Sequence, residues 1–383
     1  MVGMTRRGSY HTGCATSDTR HQLLVNDFVA WPETCNLRCA YCLSKDAPAW
    51  QPVDFSTGVR RVRGDGGLKQ LRATLGRFDE LFDAPILRIS GGEILMHEGI
   101  PELLAEQQGY EAVQIVTNGY FLDDAMLDRL AEIPNLSLHV SVDGHTFETN
   151  SLRVSKPGVH ARLMANLERA IGQGLYVEVG SVLTRANTGS YPEFLSYLEG
   201  LGGRVVAYPF PIRGSELAQF YPERQDVEGL AASLRATHNP CLPPRAFIDH
   251  LTSMLLKKKR ETRCIIPMGM IQLFHDGGMT ACPNAWTHRI GNVHELDPSG
   301  LQEAIRRDPM QRVFLQPRPR IEFCRHCCTS LDVVSLYAIG EISDGEMAGI
   351  PIYSGPRAMA ALRVLRARAG GVTETGWAGA ECL

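Results

Sequence analysis

Residues 33–43 read ETCNLRCAYCL, with cysteines at Cys35, Cys39 and Cys42 and no obvious fourth ligand beside them. A structural zinc site closes with four ligands, while a catalytic zinc site uses three protein ligands and a water. Three thiolates can also hold a four-iron cube, and the tight Cys-x3-Cys-x2-Cys spacing suits three corners of one cube. The fourth corner is then a functional vacancy. Spacing alone leaves both metals open, so the position of this loop in the fold becomes the deciding question.

The loop follows a β-rich run, LLVNDFVAW (Leu23 to Trp31), and five similar runs come after it: PILRIS from Pro85, AVQIVTN from Ala112, LSLHVSVD from Leu136, YVEVGSVLT from Tyr176 and RVVAYPFP from Arg204. Amphipathic stretches such as GLKQLRATLGRFDELF and VHARLMANLERAIGQG lie between them, with apolar residues at helical spacing. Six strands alternating with helices imply an α/β fold with a parallel sheet. An open six-stranded relative of the TIM barrel and a doubly wound sheet both fit the pattern. In either, ligands bind in the loops after the C-terminal strand ends. SGGE (Ser90 to Glu93), TNG (Thr117 to Gly119) and VDGH (Val142 to His145) occupy that position after strands two, three and four. Each alone reads as an ordinary turn. Together with the cysteine loop they mark one end of the sheet.

Composition narrows the class. The chain has 383 residues, 44% hydrophobic and 21% charged, with a net charge of −3. That is ordinary for a folded globular protein with a sizeable core. The acidic balance gives no general field for nucleic acid, and the run Lys257 to Arg260 reads as a solvated helix end. No apolar stretch approaches the roughly 18–20 residues needed to cross a bilayer, and the first residues lack a secretion signal's apolar core. No membrane partner and a cytoplasmic location are therefore expected. Eleven cysteines in such a chain point to metal ligation or catalysis rather than disulfides.

Cys35-x3-Cys39-x2-Cys42, with Tyr41 before the last cysteine and SGGE after the second strand, resembles the radical S-adenosylmethionine (SAM) superfamily. The resemblance covers about residues 23–215 and implies a partial (β/α)6 TIM-like barrel. It also implies a [4Fe–4S] cluster on Cys35, Cys39 and Cys42, whose open iron chelates SAM. The reduced cluster then cleaves SAM to a 5′-deoxyadenosyl radical, with electrons from an external reductant of the flavodoxin or ferredoxin type. The matching positions give Tyr41 as an adenine neighbour, and Ser90, Gly91, Gly92 and Glu93 near the methionine amino group. Asn118, Ser141 and Asp143 fall in the ribose and methionine region. Arg153 meets the SAM carboxylate or makes a surface salt bridge.

A second cysteine group begins with CIIPMGMIQLFHDGGMTACPN, which reads as a β-hairpin carrying Cys264 and Cys282 at its two ends. FCRHCC then adds Cys324 and Cys327 two residues apart. Four such thiolates can bind zinc. Their spacing also resembles the SPASM and twitch extensions of radical SAM barrels. That resemblance implies an auxiliary [4Fe–4S] cluster on Cys264, Cys282, Cys324 and Cys327, with Cys328 or Cys382 as substitutes. Domain limits follow as an N-terminal extension at 1–22, the barrel at 23–245, a twitch-type domain at 246–340 and a helical tail at 341–383. A non-catalytic zinc protein that binds a partner would explain both cysteine groups but not SGGE.

The resemblance implies hydrogen-atom abstraction from an unactivated carbon. The expected substrate is a small molecule, a carbohydrate- or aminocyclitol-like intermediate oxidised or epimerised at a hydroxyl-bearing carbon. Modification of a ribosomally made peptide is the alternative, which the early position of Cys35 disfavours by leaving little room for a leader-binding module. Cys241 and Cys328 are candidate hydrogen donors, and His145, Tyr208 and Arg213 are candidates at the barrel mouth. His139 reads as a core histidine and His326 as a neighbour tuning the second cluster.

Overall fold

The structure is a computed structural model and describes residues 20–42, 61–308, 322–370, 372–373 and 376–377. Cys14, Cys382 and the QPRPR segment at 316–320 lie outside the described residues.

The six β-rich runs form six strands: β1 Val25–Ala30, β2 Ile86–Gly91, β3 Ala112–Thr117, β4 Leu136–Ser141, β5 Tyr176–Leu183 and β6 Val205–Pro211. Each pairs in parallel with the next, in sequence order. Parallel strands are covered on both faces, which is why these runs read as nearly continuous apolar segments. Every residue of β1 is buried. Helices α1 Leu68–Leu81, α2 Ile100–Ala105, α3 Asp124–Ala131, α4 Pro157–Gly172 and α5 Tyr191–Leu201 fill the connections. In α1 the buried positions Leu68, Leu71, Leu75 and Phe78 recur at three- and four-residue intervals, the stripe that packs a helix on a sheet. Asp123 caps α3 by accepting from the Met126 amide.

The sheet curls. Asp27 from β1, Arg88 from β2, Val116 from β3, His139 from β4, Val182 from β5 and Phe210 from β6 all line a single cavity of about 240 Å³. A flat sheet cannot turn one face of six strands onto so small a space, so the architecture is a partial TIM-like barrel.

Helices α6 Arg224–Ala236 and α7 Arg245–Lys257 lead out of the barrel. The hairpin expected between Cys264 and Cys282 is formed by β7 Met270–Phe274 and β8 Gly278–Thr280, with Gly277 in the turn at φ 84°. It does not build a separate sheet. β7 pairs in parallel with β1, from Val25↔Met270 to Val29↔Phe274, and β8 pairs with β9 Gly291–Asn292. The second cysteine region thus continues the barrel's own sheet, because β1 has a free edge that β7 satisfies. A 3₁₀ turn at Pro351–Tyr353 then places Tyr353 inside the barrel beside Glu178 and Arg88, and helix Pro356–Gly370 packs outside it. Among the described residues no helix is long and apolar enough to cross a membrane.

Candidate active site

The cysteine loop leaves β1 through Trp31, a non-glycine residue at φ 44°. That left-handed conformation is sparsely populated and persists only where surroundings enforce it. Here the Trp31 ring stacks on His97 at 3.6 Å, its amide donates to His275, and its carbonyl accepts from the Thr34 and Gly92 amides. The SGGE turn packs against the same loop. A Cβ on Gly91 would lie 1.9 Å from the Ala30 carbonyl oxygen, and one on Gly92 would lie 1.9 Å from that of Thr34. Both positions therefore require glycine.

The three thiols share this loop. Burial and the negative charges of Cys39 and Glu93 push Cys35 far up. Burial pushes Cys39 up to about 12 against the pull of Arg153, and the like charge of Cys42 raises it further. Thiols that crowd one another without a cation resist ionisation, and a bound metal supplies the missing positive charge. The donor set therefore fits a metal cluster. The Asn118 amide nitrogen lies 3.9 Å from the Cys35 sulfur and donates to Asn36 at 2.7 Å.

Asp143 organises the next layer. It accepts from the Tyr41 hydroxyl, from Arg153 at 2.9 Å and from the Val182 amide at 2.9 Å. Arg153 is only 8% exposed, so it makes a buried ion pair rather than a surface one. Its guanidinium also approaches the Cys39 sulfur at 4.0 Å. Glu93 is 2% exposed, and its carboxylate is occupied by Thr117 Oγ1 and the Asn118 and Leu95 amides. Burial raises it to about 7 against those three bonds. It ties β2 to β3 beneath the loop. Ser90 lines the cavity, whereas Ser141 sits half-buried at the end of β4.

Behind Arg213 and Asn284, which line the cavity, the second cysteines converge. Burial raises Cys264 to about 12 and Cys324 to about 11, and the like charge of Cys327 raises both further. Cys282 is raised well above its usual range by burial and by Cys327, Cys264 and Cys324. These four thiols thus meet in one place. Arg213 donates to the Cys327 sulfur at 3.1 Å and to Asn284 at 3.2 Å.

Other expected residues lie elsewhere. His145 faces outward, stacked on Phe194 and Tyr197 of α5, so it does not serve the barrel mouth. Tyr208 is buried edge-on against Phe247, below the cavity lining. Cys241 is a core thiol whose carbonyl accepts from the Ala207 amide, and burial raises it to about 11. It does not border the cavity, so it is not placed to return hydrogen. Cys328 does border it. His139 is both a bonded core residue, 3.2 Å from Glu178, and part of the lining. His326 pairs with Glu322 at 3.1 Å.

Two groups escaped sequence reading. A polar belt crosses the cavity floor: Gln272 donates to Asp27 at 2.7 Å, and Arg88 donates to Asp27 at 2.9 Å and to Gln114 at 3.1 Å. Register explains it, because Gln272, Asp27, Arg88 and Gln114 are direct neighbours across β7, β1, β2 and β3. The available signal was a charge inside an otherwise apolar strand, as in LLVNDFVAW and PILRIS. The second is Arg260, expected in a solvated helix end but only 4% exposed and bonded to Asp332.

Residues 31–197 match the family described as Radical SAM superfamily. Among curated proteins the chain is 27% identical over 175 residues to Fe-coproporphyrin III synthase of Methanosarcina barkeri, covering 45% of this chain and 40% of that one. It is 25% identical over 295 residues to the mycofactocin maturase MftC of Mycobacterium ulcerans, covering 74% and 75%. It is 24% identical over 277 residues to the PqqA peptide cyclase of Granulibacter bethesdensis, covering 70% and 63%. In fold it is similar to Streptococcus suis SuiB bound to its precursor peptide SuiA, with a TM-score of 0.54 at 14% identity over 80% of this chain and 72% of that one. The radical SAM family uses a [4Fe–4S] cluster and SAM, and the three-thiol loop, the glycine turn and the curled parallel sheet agree with that assignment. Residues 31–197 thus form a radical SAM superfamily domain.

Proposed function

We propose that this enzyme modifies a residue of a peptide by radical chemistry. One observation carries the reading. The matches to the maturase and the peptide cyclase run over 295 and 277 residues, longer than the 167 residues between 31 and 197, so they extend beyond the barrel domain. The Fe-coproporphyrin III synthase match, at 175 residues, is about the length of that domain alone. Matches to GTP 3′,8-cyclase of Helicobacter pylori reach 205 and 209 residues, still well short of the maturase and peptide-cyclase matches, so the carbohydrate-like substrate expected from sequence gives way to the peptide alternative.

In this reading Cys35, Cys39 and Cys42 hold the first cluster. Tyr41, Ser90, Gly91, Gly92, Glu93, Asn118, Ser141, Asp143 and Arg153 shape the SAM site, and Cys264, Cys282, Cys324 and Cys327 hold the second cluster. When bound, the first cluster and SAM supply a carbon radical able to take hydrogen from an unactivated C–H bond. Asp143 fixes Tyr41 and Arg153 on one side of the cavity. Val116, Val182, Phe210 and Trp286 give it apolar walls, and Asp27, Arg88 and Gln272 give it a polar floor. Tyr41 and Ser90 line this same cavity, so SAM shares it with the substrate. The Asp27–Arg88 pair leaves the floor balanced in charge, which favours a neutral group of the substrate there.

The test is anaerobic turnover with residue-specifically deuterated candidate peptides, following label into 5′-deoxyadenosine. Transfer from one residue of a peptide supports the reading. Transfer from a free sugar or aminocyclitol, with none from peptides, overturns it.

A further inference from the structure

We propose that Arg260 and Asp332 form a buried clasp that sets Cys327 beside Cys264, making Cys327 rather than Cys328 the fourth ligand of the second cluster; this rests on the auxiliary-cluster reading above. The Arg260 side chain is 1% exposed and that of Asp332 is 2%. Its Nε donates to the Thr262 carbonyl at 2.8 Å, and its Nη2 donates to the Arg263 carbonyl at 3.3 Å and to Asp332. Its Nη1 donates to the Cys327 carbonyl at 3.0 Å, and its own amide donates to the Arg325 carbonyl at 2.6 Å. One guanidinium therefore grips the two residues before Cys264 and the peptide of Cys327. Asp332 completes the hold by accepting from the Thr329 amide at 2.8 Å.

These segments are more than sixty residues apart in sequence, and nothing local brings them together. A planar fork with several fixed donors can join two strands of carbonyls at once, which the single ammonium of a lysine cannot. The clasp also distinguishes adjacent thiols. The Cys327 sulfur receives Arg213 at 3.1 Å and Asn284 at 3.6 Å, on the side of Cys264, Cys282 and Cys324. Cys328 is fully buried, and its sulfur lies within 4.8 Å of ligand atoms of His250 and Asp332. That trio resembles a metal site, and His250 Nε2 has no hydrogen-bond partner. Arg260 already sits on Asp332 and supplies the positive charge a cation would bring, so the trio is assigned to the clasp's surroundings.

The experiment is anaerobic reconstitution of the full chain with iron and sulfide, counting iron per chain and recording the electron paramagnetic resonance of the reduced protein with and without SAM. The wild type is expected to hold about eight irons, as two four-iron cubes. R260Q and R260K should fall to about four, while the SAM-responsive signal of the first cluster remains and shows that the barrel is folded. C327A, which leaves three thiolates, should change the resonance of the second cluster or release its iron, whereas C328A should keep about eight irons and the wild-type signal. Eight irons in both Arg260 variants, or an exchange of the C327A and C328A results, overturns the clasp. A wild type with four irons that is unchanged by C264A/C282A overturns the auxiliary-cluster reading itself. The cysteine pair keeps the proposal falsifiable even where an Arg260 variant does not fold.

Discussion

The first cysteine site is one loop, with its three thiols inside eight residues, whereas the second gathers Cys264, Cys282, Cys324 and Cys327 from three segments. The first is shaped by local constraints: a strained Trp31, two glycines pressed on the loop backbone, and a turn hung from the strand above. The second depends on tertiary contacts, with a hairpin bonded to β1 and one buried arginine holding the ends. The ligands of the first site are contiguous in sequence, whereas those of the second come together only through tertiary contacts.

The largest expected effect separates the two. Replacing Cys35, Cys39 or Cys42 with alanine should reduce SAM cleavage to background while leaving about four irons bound at the second site. The double variant C264A/C282A should do the reverse, leaving 5′-deoxyadenosine formation and removing the second cluster, as read by iron content and turnover. If the double variant abolished both clusters, the independence of the two sites would fail. Next comes Asp143, shared by Tyr41 and Arg153. D143A strands a buried arginine, and breaking such a pair costs about 3–5 kcal/mol, measurable by urea denaturation. G92A should displace the cysteine loop, because the added carbon meets the Thr34 carbonyl at 1.9 Å. A clash of this kind costs roughly 1–3 kcal/mol, and iron at the first site should drop with it. The smallest effect is one of pH. Burial lowers His97 from 6.5 to about 4 beside Trp31. Its folded value lies below its unfolded value, so the stability it contributes is present above pH 6.5 and lost as pH falls towards 4. H97F should flatten the acid limb of the denaturation curve. An unchanged limb would show that His97 carries none of it.

Legibility in the sequence followed the same division. All six barrel strands were readable because parallel strands buried on both faces leave runs such as AVQIVTN, and the loop was readable because its ligands are contiguous. The hairpin was readable from HDGG. Its attachment to β1 was not, since nothing in MIQLF says which edge it will meet. Arg260 looked like the end of a basic run, because a guanidinium's partners are carbonyls that carry no sequence signature. His145 was misplaced for a related reason: its turn was located correctly, but the direction of its ring depends on the packing of α5. The floor charges Asp27 and Arg88 stood in plain view inside apolar strands and become meaningful once register sets them side by side.

The parallel bond between β7 and β1 has one more consequence. Cutting the chain before Met270 would uncover a fully buried strand edge along Val25–Ala30, an invitation to pair with another copy. The barrel is therefore not expected to behave as an excisable module: a truncated form should precipitate or self-associate, and grafting this second region onto a different barrel would require matching its outermost strand residue for residue.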